Sequence, residues 1–311
     1  MSKLISIGEL LVDFNKKNNN EYIGNPGGAP ANVCSQASKL ECETVYLSKV
    51  GNDMFGSFLI EELNKFNVCT KYIIKSDIYK TSLAFVSTDN LGERSFVFYR
   101  ENAADLNIDI NDFNDVIFND GDIFEFGSVA LNSEKSINTH KFLLEKAINN
   151  NSIIAFDPNV RLNLWDNHEK LRKVILEFIN YCDILKISDD EALFIANTDN
   201  LEEALNIIRT DNLKLILLTK GSNGADIFMS NNIKYTHHGY KIKAIDTTGA
   251  GDSFFGGFLA KILLNNIKKN ELLKIDYSTY LDFACKCGAY TCLGYGAMNS
   301  MGRKKDLENM E

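Results

Sequence analysis

Apolar residues follow two patterns that alternate along most of the chain. Short apolar runs, typical of buried strands, alternate with longer segments in which apolar residues recur every three or four positions, as on one face of a helix. The runs predict strands at residues 4–8, 44–47, 123–126, 152–156, 184–187 and 215–219. The longer segments predict helices at residues 31–40, 54–66, 134–149, 169–180, 252–265 and 277–292, with two more from Asp189 and Leu201. Such alternation predicts an α/β fold, a mostly parallel sheet with helices on both faces.

Two regions interrupt this alternation. Residues 82–87 and 95–99 alternate apolar and polar positions around a turn at 89–92, which predicts a β-hairpin. Residues 10–14 either continue the first strand or turn out of it, and a short strand is expected near Tyr22. We expect residues 11–25 and 80–100 to form a small sheet that acts as a lid. A second hairpin is expected at 224–236.

Composition narrows the function classes. The chain has 311 residues and a net charge of −9, which argues against a nucleic-acid or anionic-membrane surface. It contains no apolar run of 18 residues and begins with a strand rather than a secretory signal. Seven cysteines without a Cys-x-x-Cys pair fit a reducing cytoplasm, where they serve as small apolar residues. The four histidines show no ligand spacing, so we expect them at the surface.

A glycine turn precedes the apolar helix that begins near residue 252. Gly249, Ala250 and Gly251 leave the first backbone N–H groups of that helix uncovered, which suits an anion such as phosphate. Asp252 lies in the same turn, and a carboxylate there makes sense as a base that removes a proton from an attacking hydroxyl. The alternative is a plain turn in which Asp252 is an ordinary first-turn helix residue.

The longer motif around this turn, Asp-Thr-Thr-Gly-Ala-Gly-Asp-Ser-Phe-Phe-Gly-Gly at 246–257, resembles the C-terminal signature of the ribokinase-like (PfkB) carbohydrate kinases. It lacks the Gly-Lys-Ser/Thr of a Walker A loop, and its late position differs from a dinucleotide fingerprint. Further segments match the family in order, at residues 27–32, 99–104, 157–161, 186–191, 219–224 and 294–300. Among family members the chain looks most like a bacterial fructokinase.

This resemblance implies a ribokinase-like three-layer α/β/α sandwich, formed by residues 1–311 as one kinase domain, with a mostly parallel central sheet and a small β-sheet lid. It implies ATP-dependent phosphorylation of a sugar, most simply D-fructose at its 6-hydroxyl, with Mg²⁺ and K⁺ as further cofactors. The alternatives are kinases of 2-keto-3-deoxygluconate, aminoimidazole riboside or ribose. A non-catalytic nucleotide-binding regulator is an alternative from another class. We also expect a homodimer formed through the lid.

The resemblance assigns roles to individual residues. The catalytic group is Asp252, Gly249, Ala250, Gly251 and Arg161. The sugar-binding group is Asp13, Gly27, Gly28, Asn32, Arg100 and Asn102, together with Asp252. The nucleotide-binding group is Lys186, Ser188, Thr219, Gly221 and Gly224, together with Gly249 and Gly251. Glu191 is expected to hold Mg²⁺ through water, and the expected K⁺ ligands are Asp246, Thr248 and Gly296.

Three of these assignments have alternatives. Ser188 and Glu191 also fit a helix capping box, which is compatible with a magnesium role. Arg100 is expected near the transferring phosphate, but it could pair with a sugar acid or lie solvated at the hairpin end. Asp13 could be a simple turn residue.

Overall fold

The computed structural model describes residues 2–18, 20–88 and 94–310. Its larger sheet has nine strands in the order β13-β12-β11-β10-β9-β8-β1-β4-β5. These strands are β1 Leu4–Ile7, β4 Thr44–Gly51, β5 Cys69–Ser76, β8 Ile123–Gly127, β9 Ile153–Asp157, β10 Ile184–Ser188, β11 Leu215–Thr219, β12 Ala225–Met229 and β13 Lys234–His237. All neighbours pair in parallel except β11 with β12 and β12 with β13. The carboxyl ends of the parallel strands therefore lie along one edge.

Helices cover both faces of this sheet. They are α1 Ala29–Lys39, α2 Met54–Lys65, α3 Glu134–Asn149, α4 His168–Ile179, α5 Asp189–Ala196, α6 Leu201–Ile208, α7 Ala250–Leu264, α8 Ser278–Thr291, α9 Ala297–Ser300 and α10 Lys304–Glu308. One apolar core packs α3 to α6 against residues such as Phe126 and Phe156. A second core packs α1, α7 and α8 against the opposite face. The three-layer α/β/α fold implied by the sequence is confirmed.

A smaller sheet of four strands stands apart from the large one. Its strands are β2 Leu11–Lys16, β3 Tyr22–Gly27, β6 Ser82–Thr88 and β7 Arg94–Tyr99, in the order β3-β2-β6-β7. Strands β2 and β6 pair in parallel, while the other two pairings are antiparallel. The segment near residue 10 therefore turns out of the large sheet. The turn expected at 89–92 lies outside the described residues.

Several expectations about individual elements need correction. The edge strand β5 was not expected, because polar residues occupy much of it. Two short helices, α9 and α10, follow the helix expected to end the chain. His140 is not at the surface: it lies on the buried face of α3 against Phe126, and burial lowers the pKa of its ring to about 4.

Two further expectations concern the state of the cysteines and the absence of a membrane-spanning segment. None of the seven cysteines, all of which the structure describes, forms a disulfide, and Cys285, Cys287 and Cys292 are buried around α8, as expected of small apolar residues. In the part of the chain that the structure describes, no helix combines the length and apolarity that crossing a membrane requires.

Candidate active site

The glycine turn forms the start of α7 at the carboxyl edge of the large sheet. Gly249 precedes the helix with a left-handed φ of 75°, and a Cβ there would lie 2.5 Å from Cβ of Ala297 in α9. Only glycine fits this position without strain or displacement. Asp252 lies in the first turn of α7. The turn thus presents helix N–H groups and a carboxylate at one place, as the sequence predicts.

Asp252 is joined to the segment expected to bind sugar. Nδ2 of Asn32, in α1, donates a hydrogen bond to Oδ2 of Asp252 at 2.7 Å. Burial raises the pKa of Asp252 above its ordinary value, while Lys186 and Asn32 oppose that rise. Within the described residues, Oδ1 of Asn32 is buried and accepts no hydrogen bond. The pair therefore offers a proton acceptor and an unused amide oxygen side by side.

A buried cation adjoins the same helix start. Nζ of Lys186, in the middle of β10, lies 2.8 Å from Oδ2 of Asp157, the last residue of β9. It is also 3.1 Å from the position that a Cβ on Gly251 would occupy. Burial raises the pKa of Asp157 to about 7, against the effect of Lys186. Burial by itself lowers the pKa of Lys186, but the nearby carboxylates of Asp157 and Glu191 raise it by more. The net pKa is therefore above its ordinary value, and the amine stays protonated. The expected phosphate site thus has a fixed ammonium group beside it.

Glu191 links two loops at this edge. Its Oε2 accepts from the backbone N–H of Ser188 at 2.9 Å, and Ser188 Oγ accepts from the N–H of Glu191, so the capping box expected at the start of α5 is present. Oε1 of Glu191 accepts from the N–H of Val160 at 2.7 Å. That bond holds the segment carrying Arg161 against α5. Arg161 lies within electrostatic reach of both Asp252 and Asp13.

Asp13 and the Gly27–Gly28 turn meet at the small sheet. A Cβ on Gly27 would lie 2.2 Å from Oδ2 of Asp13, so the missing side chain makes room for the carboxylate. Removal from water raises the pKa of Asp13 to about 7, although Arg161 opposes the rise. Asp13 pairs in register with Asn25 of β3, which puts both side chains on one face of the sheet. That face carries the polar groups expected to meet a sugar.

Two expected sugar ligands lie in other surroundings. Arg100 is buried, and its guanidinium contacts Asp105 and the carbonyl oxygen of Val129. Asn102 is exposed, and its side chain accepts a bond from Asn107. Arg100 is therefore not a solvated hairpin end. Direct contact of either residue with a substrate stays a prediction.

The expected potassium ligands are brought together by the Asp246 carboxylate. Its Oδ1 accepts from both the N–H and the hydroxyl of Thr248, at 2.8 and 2.7 Å. Its Oδ2 accepts from the N–H of Gly296 at 3.0 Å. The loop thus concentrates carboxylate, hydroxyl and carbonyl oxygens, the donors that hard cations prefer. A cleft of about 800 Å³ separates this loop from Asn25 and other residues of the small sheet.

The remaining nucleotide candidates follow β11 on the same edge. Thr219 ends that strand, and Gly221 and Gly224 occupy the turn after it with φ values of +55° and +85°. A Cβ on Gly224 would lie 2.0 Å from the carbonyl oxygen of His237, whereas one on Gly221 would meet nothing within 4 Å. Gly221 is therefore open to a ligand, while Gly224 serves the fold.

Sequence reasoning gave no role to three acidic residues that the structure makes prominent. Asp157 begins one of the segments that match the family, but its pairing with Lys186 depends on β9 and β10 being neighbours. Asp105 pairs with Arg100, and Glu9 accepts from the N–H of Ala29 at 2.9 Å. An acidic residue two positions after the buried strand β1 is the one signal that could have indicated Glu9.

Comparison with known proteins defines the class of this fold and site. A family model described as "pfkB family carbohydrate kinase" matches residues 1–303. The chain therefore belongs to the pfkB family of carbohydrate kinases, as its motifs imply.

Individual relatives resemble the chain over nearly its whole length. "Probable fructokinase-5" of Arabidopsis thaliana is 33% identical over 315 residues, covering 99% of this chain and 96% of that protein. "Fructokinase" of Vibrio alginolyticus is 31% identical over 308 residues, covering 99% and 98%. A crystal structure of a fructokinase double mutant from Vibrio cholerae O395, in a form bound to fructose, ADP and potassium ion, has a TM-score of 0.90. It is 28% identical, covering 99% of this chain and 97% of that one.

Proposed function

We propose that this chain is a fructokinase, which transfers the γ-phosphoryl group of ATP to the 6-hydroxyl of D-fructose. The observation that carries the proposal is the 2.7 Å hydrogen bond between Asn32 and Asp252 at the glycine turn. It joins a sugar-binding segment to a base beside an anion site. The full-length similarity to proteins named fructokinases, one of them bound to fructose and ADP, supports the choice of substrates.

Asp252 is the general base in this proposal. The 6-hydroxyl oxygen attacks the γ-phosphorus, the bond from that phosphorus to the bridging oxygen breaks, and ADP leaves with its electron pair. The hydroxyl proton passes to Asp252. Burial raises the pKa of this carboxyl, which makes it a stronger base than an exposed aspartate. Asn32 keeps the accepting oxygens aimed at the sugar.

Positive groups surround the place where the phosphoryl charge develops. The N–H groups of Gly249 and Gly251 are proposed to bind it at the start of α7, and Lys186 lies against Gly251. The N–H of Ala250, also expected to take part, instead donates to the carbonyl oxygen of Thr247 at 3.3 Å. Arg161 approaches from the opposite loop. Fixed donors of this kind stabilise a transition state without reorganising. Thr219, Gly221 and Ser188 line the same edge and are proposed to contact the nucleotide.

The described residues also fit the two metal ions. They contain no group of three His, Cys, Asp or Glu side chains that could hold a metal alone. This suits Mg²⁺, which commonly binds through substrate phosphates, waters and one or two carboxylates, here Glu191. Bound in this way, Mg²⁺ would neutralise phosphate charge. The oxygens around Asp246, Thr248 and Gly296 suit K⁺.

The small sheet is proposed to act as a lid and as a dimer contact. Its face with Asp13 and Asn25 is turned toward the site. Its other face carries a stacked aromatic pair, Phe14 and Phe85, beside exposed Tyr22, Val97 and Tyr99. A second subunit packed there would cover these side chains. The seven cysteines form no disulfide in the described structure, which supports a location in the reducing cytoplasm.

A panel of sugars tests the proposed function. The measurement is kcat/KM with ATP and Mg²⁺ for fructose, ribose, 2-keto-3-deoxygluconate and aminoimidazole riboside. We expect fructose to be preferred, because a site that pairs specific hydroxyls rejects analogues lacking them. Preference for the keto acid would instead make Arg161 or Arg100 a carboxylate ligand. Absence of turnover with every sugar would favour a nucleotide-binding regulator.

A further inference from the structure

The polypeptide passes between the two sheets at four points of the described chain. It leaves the large sheet after β1 and returns before α1, then leaves again before β6 and returns after β7. One residue at each point takes part in a buried hydrogen bond: Glu9 bonds to Ala29, and Asp105 bonds to both Ser82 and Arg100. The two bonded groups form one buried polar cluster because Glu9 lies within electrostatic reach of Arg100 and Asp105. The connections between the sheets are therefore fastened at one place.

An ion pair forms the centre of this cluster. Nε and Nη2 of Arg100 lie 2.8 and 2.7 Å from Oδ2 of Asp105. Oδ1 of Asp105 accepts from the hydroxyl of Ser82 at 2.5 Å. Nη1 of Arg100 donates to the carbonyl oxygen of Val129, just beyond β8, at 2.9 Å. The exposed fractions of Arg100 and Asp105 are 4% and 1%. The ion pair thus ties both ends of the β6–β7 hairpin to the large sheet.

Glu9 connects the other two crossings between the sheets, the one after β1 and the one before α1. Its Oε1 accepts from the backbone N–H of Ala29 at 2.9 Å, and its carbonyl oxygen accepts from Tyr46 at 2.6 Å. Gly28, with a φ of +122°, packs so closely that a Cβ would lie 2.2 Å from that carbonyl oxygen. Burial raises the pKa of Glu9, and the nearby Arg100 opposes the rise. The Gly27–Gly28 turn is therefore held by Glu9 within reach of the ion pair.

We propose that Glu9 is a positioning residue for phosphoryl transfer. It fixes the turn into α1 against the junction of the two sheets, so that Asp13 on one side and Asn32 on the other keep their places. Asn32 in turn holds Asp252, so displacement of the turn moves the base relative to the sugar. The inference rests on the proposed sugar kinase function.

A purely structural role explains Glu9 less well. Among the described residues, no group bonds to its buried Oε2. A buried carboxyl with one oxygen unsatisfied costs stability, and an apolar side chain of similar size would cost less. Glu9 does supply the acceptor that the N–H of Ala29 needs, at the first residue of α1. Its contribution is thus to the geometry of the turn rather than to the strength of the core.

Kinetics of Glu9→Ala and Glu9→Gln test the proposal. Glu9→Ala removes the acceptor, and we expect kcat/KM for fructose to fall about 100-fold, as for a displaced substrate-positioning group. The KM for ATP should stay within about twofold, since the nucleotide edge is untouched. Glu9→Gln keeps both the size and the acceptor oxygen, so it should recover at least about tenfold of the loss. The proposal is overturned if Glu9→Ala and Glu9→Gln lose kcat/KM for fructose equally. It is also overturned if the kinetics toward ATP are impaired as much as those toward fructose.

Asp122→Asn is the matched control. Asp122 is equally buried and accepts from the N–H groups of Lys3 and Asn119, but it precedes β8 at the opposite edge of the sheet. Its replacement should lower the melting temperature and leave kcat/KM for fructose within about twofold. If the Glu9 variants behave in the same way, Glu9 is only a packing residue and the proposal is wrong. Should Glu9→Ala not fold, Asp105→Asn takes its place with the same expected loss toward fructose.

Hydrogen exchange separates this proposal from the proposed function. In Glu9→Ala, amides of β2, β3 and the Gly27–Gly28 turn should exchange faster, while those of β9 and β10 keep their protection. This readout needs no substrate. If the wild-type chain phosphorylates no sugar, the proposed function fails while the exchange result still decides whether Glu9 fixes the turn. Unchanged exchange in β2 and β3 overturns the positioning role.

Discussion

Asp252 and Asn32 come from helices far apart in sequence, yet their side chains meet at 2.7 Å. We predict that Asp252→Asn keeps the hydrogen-bonded shape of the pair but lowers kcat by about 10² to 10⁴-fold, the usual contribution of a general base. Steady-state kinetics with ATP and fructose measure this, and calorimetry checks that nucleotide affinity is retained. Near-normal turnover would contradict the assignment. Asp276→Asn, on the exposed loop before α8, is the control.

The proposed role of Asp13 in binding the sugar predicts that the reaction depends on pH. Removal from water raises the pKa of Asp13 to about 7, and the ionised form is the one proposed to accept bonds from sugar hydroxyls. Because kcat/KM reports the free enzyme, it should be constant above pH 7 and fall by about tenfold per unit below it. In Asp13→Asn the maximal kcat/KM should be lower, and kcat/KM should no longer fall below pH 7. If the acid limb persists in this variant, it belongs to Asp157 or Asp252 instead.

At the residue scale, the motifs predicted the turn and its base but not how charges would pair. Asp252 and the glycines were identifiable because their spacing alone creates a helix start with a carboxylate. The Lys186–Asp157 pair was not, since it depends on which strands are neighbours and on their register. Arg100 shows the same limit, because nothing in its local sequence indicates that Asp105 turns back to meet it.

The start of α7 depends on the left-handed backbone conformation of Gly249 and on its lack of a side chain. We predict that Gly249→Ala lowers the free energy of unfolding by about 1–3 kcal/mol, because the new Cβ both occupies a left-handed position and meets Ala297. Activity should fall as well, because the anion-binding N–H groups move. Chemical denaturation measures the first effect. Gly221→Ala is the matched control, with a positive φ but open space, and should lose less stability.

The loop before α7 links ion binding to that same helix start. Asp246 holds Thr248 and Gly296, and Thr248 immediately precedes Gly249. A potassium ion on these oxygens would steady the anion site. We therefore predict higher activity in potassium than in tetramethylammonium at equal ionic strength, with the difference reduced in Asp246→Ala. Equal rates in the two salts would rule out a functional ion here.

At the scale of elements, the buried strands and long helices were predictable and the polar ones were not. Strands such as β9 and β11 are continuous apolar runs, which only a doubly covered sheet explains. Strand β5 lies at the sheet edge, and only Ile73 among its residues is buried, so its sequence carries little apolar signal. Strand β2 was ambiguous because its sequence does not reveal which sheet it joins.

The exposed aromatic face of the small sheet bears on the assembly of the whole molecule. Val97 and Tyr99 are 57% and 64% exposed, and a small sheet with an uncovered apolar face gains stability from a partner. We predict a dimer at micromolar concentration that Val97→Asp converts to a monomer, measured by analytical ultracentrifugation. Ile78→Asp, at a position that is 81% exposed but lies outside the small sheet, should remain dimeric. A monomeric wild-type chain would contradict the predicted dimer but would not test the proposed role of the small sheet as a lid.

The parallel pairing of β2 with β6 has a consequence for how the chain folds. Between these strands the chain builds α1, β4, α2 and β5, all of which belong to the larger body. We expect β2 and β6 to come together only after that body has formed and brought them close, because closing the long intervening loop costs entropy before contacts form. The small sheet should therefore be among the last parts to form during refolding. Sugar binding would then report complete folding, while far-ultraviolet circular dichroism would recover earlier.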